Sequence, residues 1–172
     1  MKNTDSSGAE KTGEVISSSQ LLEHWQGHRR LTRKMIDAFP EDKLFTYSIG
    51  GMRLFAMLVQ EFLDMAFPGL KGVISGQWQQ ASEMPHFSQT SKPATKAELL
   101  AIWDNATKEL DTIWPTISSG RFQEQDKAFG QWDGPIYFFL FYWIDNEIHH
   151  RGPASVYLRS LGIEPPAFWD RS

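Results

Sequence analysis

Apolar positions recur at intervals of three and four along most of the chain, the period of helices that bury one face. From Ser18 the stripe is Leu21, Trp25, His28, Thr32, Met35 and Phe39, with Arg29, Arg30, Arg33 and Lys34 mostly off it; Pro40 stops it. This predicts a first amphipathic helix. After Gly50-Gly51 a second period runs through Met52, Phe55, Leu58, Val59, Phe62, Met65 and Ala66, with Arg53, Gln60 and Asp64 on the other side. Pro68-Gly69 is expected to end it. Residues 69 to about 95, roughly 27 in number, carry Gly, Gln, Ser and Pro without a sustained helical period, too long a stretch for a tight turn. It reads as a crossover, able to run the height of a bundle and leave its flanking helices parallel.

A third helix opens near Thr95, whose hydroxyl can cap the first turn. It carries Leu99, Trp103, Ala106, Leu110 and Ile113 on one face before Pro115. A polar connection with Gly120, Gly130 and Gly134 leads to Pro135, a residue suited to a first helical turn. The fourth helix then runs to about Leu161, with Gly162 at its exit. Its first half is apolar nearly all round and is expected to be central. Strand signals are weak, with Asp133-Gly134 after a short mixed segment as the nearest thing to a hairpin. The expected architecture is an all-α four-helix bundle over residues 18–172, with a long crossover between its second and third helices. Residues 1–17, polar and without an apolar period, read as a flexible tail.

Composition narrows the chemistry. The 172 residues suit one domain, and seven Trp and twelve Phe supply enough apolar surface for a packed core. There is no Cys, which removes disulfides, thiolate zinc sites, iron–sulfur clusters and a cysteine nucleophile. A net charge of −4 and a pI near 5.7 are opposite to the footprint of a nucleic-acid binder. The N-terminus lacks the apolar stretch of a signal peptide, and no run approaches the ~18 apolar residues of a membrane span, so a soluble cytoplasmic protein is expected. No G-x-S-x-G elbow, P-loop, H-E-x-x-H or strand-linked G-x-G-x-x-G is present, which sets aside the hydrolase, kinase and dehydrogenase classes those motifs mark.

Polar groups on an apolar helix must be paired, hydrogen-bonded or coordinated. That tension is greatest where Asp145, Asn146, Glu147, His149, His150 and Arg151 follow the apolar run of the fourth helix. Asn146 and His150, four apart, share a face, whereas His149 is turned away from His150 by about 100°. The segment IDNEIHHRGPASVYLRSLGIEPP resembles the DinB / YfiT-like superfamily of DNA-damage-inducible four-helix bundles; GGMRLFAMLVQEFLDMA and HWQGHRRLT add to the likeness. The resemblance implies an up-down-down-up bundle, a homodimer, and a divalent metal held by three His, one late in the second helix and two in an H-x-x-x-H pair of the fourth. For some members it implies thiol-dependent transferase or isomerase activity.

Carried onto this chain, the last family His is His150. Its partner is Asn146, the helix-two ligand falls at or beside Glu61, and Pro153 replaces the Gln after Arg-Gly and is expected to kink or restart the helix. The implied metal set is therefore Glu61, Asn146 and His150, with His28 on the first-helix stripe as a further ligand or base. Such a set could take zinc, nickel or manganese, holding zinc less tightly than three imidazoles would. Arg151 is the candidate for orienting an anionic thiol cofactor or for bracing the neighbouring carboxylates.

Two functions follow. One is a stress-associated, metal-assisted, thiol-dependent transferase whose thiol comes from a cofactor. The other is a non-catalytic bundle that has lost the metal site and acts as a homodimer or small-ligand binder. A metal-free Glu61–His150 hydrogen-bonded pair satisfies those residues equally well. His24 reads as a surface residue and His28 as packed. His86 reads as an ordinary loop residue, Arg29, Arg30, Arg33 and Lys34 as a solvated helix face, and Trp103, Trp114, Trp132 and Trp143 as core or dimer residues.

Overall fold

The computed structural model describes residues 15–88 and 93–172, so most of the expected tail and part of the crossover lie outside the described residues. The chain forms α1 (Ser18–Ala38), the single turn α2 (Glu41–Leu44), α3 (Phe55–Ser75), the single turn α4 (Pro85–Ser88), α5 (Lys96–Ile113) and α6 (Ile136–Ser160). Side-chain caps start two of the long helices. The Ser17 hydroxyl accepts from Gln20 N at 3.2 Å while Gln20 Oε1 accepts from Ser17 N at 2.8 Å. Thr95 and Glu98 repeat the arrangement at the start of α5.

The second helix departs from expectation at both ends. It begins at Phe55 and runs through Pro68 to Ser75, where Gly76 closes it with φ 69°. Proline removes one helical hydrogen bond and costs about 3 kcal/mol in a helix interior. Beyond it Leu70 and Val73 enter the core, and burial of two such side chains stabilises by about 3–6 kcal/mol, enough to carry the helix onward. Two glycines on this added stretch allow close packing. A Cβ on Gly69 would lie 2.5 Å from Trp143 Cη2, and one on Gly72 would lie 2.2 Å from Trp78 Cε3. Helix α6 likewise continues through Pro153 without a break, where a kink or restart was expected.

Two apolar cores fix the directions of the helices. One gathers Leu21 and Trp25 of α1, Leu70 and Val73 of α3, Leu110 of α5 and Leu140 of α6. The other gathers Met35 and Ile36 of α1, Phe55 and Val59 of α3, Leu99 of α5 and Leu158 of α6. Thus α1 and α6 run one way and α3 and α5 the other, giving up-down-down-up, with the long crossover joining the parallel pair α3 and α5. Helix α1 packs on α5 and α6, and α3 packs on the same two. Between the cores lies a belt of buried polar side chains, among them His28, Arg29, Thr32, Glu61, Asp64, Asn146, Glu147 and Arg151.

A hairpin forms where only weak strand signals stood: β1 (Gln125–Ala128) pairs antiparallel with β2 (Trp132–Pro135). Asp133-Gly134 lies within β2; the turn is at Phe129 and Gly130, with φ 54° and 69°. A left-handed Phe is strained, and burial of its ring against Trp78 at 5.5 Å and Trp143 at 6.0 Å holds it there. No helix among the described residues is long and apolar enough to cross a membrane.

Candidate functional site

The half of the polar belt between α3 and α6 contains three residues picked out by the sequence. Asn146 Nδ2 donates to Glu61 Oε1 at 2.9 Å, and His150 Nε2 lies 3.5 Å from the same oxygen. A fourth residue completes the cluster. Arg53, just ahead of α3, sets Nη1 2.6 Å from Glu61 Oε2 and Nη2 3.4 Å from His150 Nε2. Burial alone would raise the Glu61 pKa, but hydrogen bonds from His150, Asn146 and Arg53 outweigh it and hold the carboxyl at about 2. Phe62 stacks on the His150 ring with centroids 6.2 Å apart.

His28 and Arg151 do not join this cluster. They pair with each other on the α1 side, where Arg151 Nη2 donates to His28 Nδ1 at 2.9 Å and Nη1 donates to Thr32 Oγ1 at 3.0 Å. Thr32 in turn donates to Glu147 Oε1 at 2.5 Å. Arg29, expected on a solvated face, is buried here instead. Its Nε donates to Thr107 Oγ1 at 2.8 Å, its Cζ lies 3.9 Å above the Trp103 ring, and Nη1 is 3.9 Å from Glu147. Burial, then the charge of Arg151, lowers the His28 pKa to about 3, so the imidazole is neutral near pH 7.

Beside the Arg53–Glu61 pair opens a cavity of about 480 Å³, within the range of small-molecule sites. Its walls are aromatic: Phe129 and Trp132 from the hairpin, Phe139, Tyr142 and Trp143 from α6, and Phe87 from α4. His86 lines it as well, and also a neighbouring cavity of about 320 Å³ that shares Arg53. The ring of His86 is tied down, because Nδ1 lies 2.7 Å from Asp64 Oδ2 and both side chains are largely buried.

A model of the DinB family matches residues 7–171. The chain belongs to the DinB family. Among solved structures it is similar to a DinB-like protein, YjoA, from Bacillus subtilis, with 21% identity, a TM-score of 0.67, and coverage of 88% of this chain and 97% of that one. It is also similar to a DinB-like protein from Bacillus cereus, with 17% identity, a TM-score of 0.63 and the same coverages. At such identities the likeness establishes the fold. No curated protein matches.

Within this DinB bundle the residues present do not fit a divalent ion as they stand. No group of three His, Cys, Asp or Glu able to hold a metal occurs among the described residues. The space against Glu61 is taken by a guanidinium, and Asn146 turns its NH₂ toward the carboxylate. Two features of this site lie outside what the helical periods predict. The apolar period puts Arg53 and Asp64 on the outer side of the second helix, yet Asp64 is buried and Arg53 holds Glu61. The Pro-rich surroundings of His86 predict an ordinary loop residue, yet it pairs with Asp64. The usable signal was Asp64 itself, a carboxylate one helical turn beyond Glu61 and flanked by buried Leu63 and half-buried Met65.

Proposed function

We propose that this DinB-family protein is a metal-independent binder of a small apolar ligand, seated in the cavity of about 480 Å³ beside the Arg53–Glu61–Asn146–His150 cluster. The observation that supports this reading is the position of Arg53. A fixed positive charge 2.6 Å from Glu61 neutralises the carboxylate from within the chain, and a divalent cation brought to the same place would meet its repulsion. The test uses protein purified without a His tag. Elemental analysis is expected to find no stoichiometric zinc, nickel or manganese, and none of these ions is expected to raise the melting temperature. A stoichiometric ion overturns the reading.

The metal-assisted, thiol-dependent transferase remains as a second reading, favoured by one feature: Asn146 Oδ1 is buried without a hydrogen-bond partner, a donor an ion could use once Arg53 moved aside. Under that reading the thiol comes from a separate molecule, since the chain has no Cys. Thiol-dependent turnover that vanishes in His150→Ala supports it. Both readings keep the homodimer, for which exposed Tyr137, Phe141 and Ile148 on α6 offer an apolar face; sedimentation equilibrium tests it.

A further inference from the structure

The Asp64–His86 pair has no place in the cluster around Glu61, yet it is built as tightly. Asp64 Oδ2 accepts from the backbone N–H of His86 at 2.7 Å and lies 2.7 Å from its Nδ1, while Oδ1 accepts from Gln60 Nε2 at 2.8 Å. The side chains of His86 and Asp64 are 5% and 4% exposed, so the pair is a fixture of the interior rather than a surface contact. A carboxylate oxygen accepts, so Nδ1 is the ring nitrogen that donates to Asp64 and Nε2 is the one turned away from it. Among the described residues, His86 bonds through Nδ1 and its backbone N–H, both to Asp64. His86 lines both cavities, and with Nδ1 turned to Asp64 the ring nitrogen left for a ligand is Nε2.

We propose that the aromatic cavity binds a flat aromatic ligand bearing a hydroxyl, whose O–H donates to His86 Nε2 while its ring packs among Phe129, Tyr142 and Trp143. Asp64 acts as the positioning residue that holds the tautomer. The inference rests on the small-ligand reading above and adds to it the class of ligand. Two features select that class. The walls offer ring faces and edges, which favour an aromatic guest. The dyad supplies an acceptor within the mostly aromatic lining, apart from the Arg53–Glu61 pair, whose charges already neutralise each other, and a buried polar partner discriminates against analogues that leave it unpaired.

The test is calorimetric titration with 2-naphthol and with 2-methoxynaphthalene, which has the same rings but no donor. Wild-type protein is expected to bind 2-naphthol about tenfold more tightly, the equivalent of one net hydrogen bond. His86→Phe is expected to bring the two affinities within about twofold. Asp64→Asn, with its fold checked by near-ultraviolet circular dichroism, is expected to erase the preference, since an amide can hold either tautomer. A merely structural Asp64 would instead weaken both compounds together, which would overturn its assigned role. Equal binding of the two compounds by wild-type protein overturns the proposal and leaves the cavity reading standing. Binding of neither overturns both.

Discussion

Asn146 and His150 face α3, whereas Glu147 and Arg151, each one position further along α6, face α1. The 100° step between neighbouring helical residues thus divides one polar stretch into two clusters with different access to water. The α1 cluster is closed: Arg29, Glu147 and Arg151 are at most 7% exposed, and two guanidiniums share one carboxylate. The α3 cluster is open, because the Arg53 side chain is 42% exposed and lines both cavities. The closed cluster ties α1 to α5 and α6. The open cluster borders space that a ligand can enter.

The strongest way to break this contrast is Glu147→Gln. It leaves Arg29 and Arg151 buried without a counter-charge and is expected to cost about 3–5 kcal/mol, read as a fall in the urea midpoint. A loss below about 1 kcal/mol would mean that water reaches the cluster.

The pH dependence separates the clusters next. The folded His28 pKa is about 3 against 6.5 unfolded, so the unfolded chain takes up a proton that the folded one refuses. The contribution of His28 is complete above pH 6.5 and is lost as pH falls through that window, by at most about 1.4 kcal/mol per unit. Glu61 behaves differently: with a folded pKa of about 2 against 4.5, its contribution is complete above pH 4.5 and is lost only as pH falls toward 2. The difference between wild type and His28→Gln, followed by urea denaturation from pH 7 to 5, is expected to shrink with acidification. A constant difference would show that His28 takes no part.

Arg53→Ala is expected to cost only about 1 kcal/mol, since the pair is partly solvated. Combined with Asn146→His it clears the cation from Glu61 and supplies a second imidazole, and a gain in melting temperature with zinc is then expected, absent from the single Asn146→His variant. If both variants bind zinc equally, Arg53 is no obstacle. Smallest is Arg33→Ala, which breaks an exposed ion pair with Asp104 and is expected to change stability by less than about 1 kcal/mol.

Much of this contrast was legible in the sequence, but unevenly. The periods of α1, α5 and α6 marked their helices because apolar spacing and capping residues act locally. The four-residue spacing puts Asn146 and His150 on one face of α6, and both reach Glu61. The apolar stripe of α1 shows that His28 is buried without showing against what, so the spacing alone allows it beside Asn146 and His150, whereas it pairs with Arg151. Pro68-Gly69 read as a stop, since local propensity says nothing of Trp78 and Trp143, whose rings fill the space that Gly72 and Gly69 leave open.

The amino-acid sequence by itself determined an all-helical bundle, its long crossover, and which end of α6 carries the polar groups. Those follow from periodicity and composition, properties of residues near one another in the chain. Tertiary structure alone decided that Arg53 stands against Glu61, that Arg151 turns to His28, and that Asp64 fixes His86. Each of these joins side chains from different elements, and only the packing of those elements brings the groups within a few ångströms.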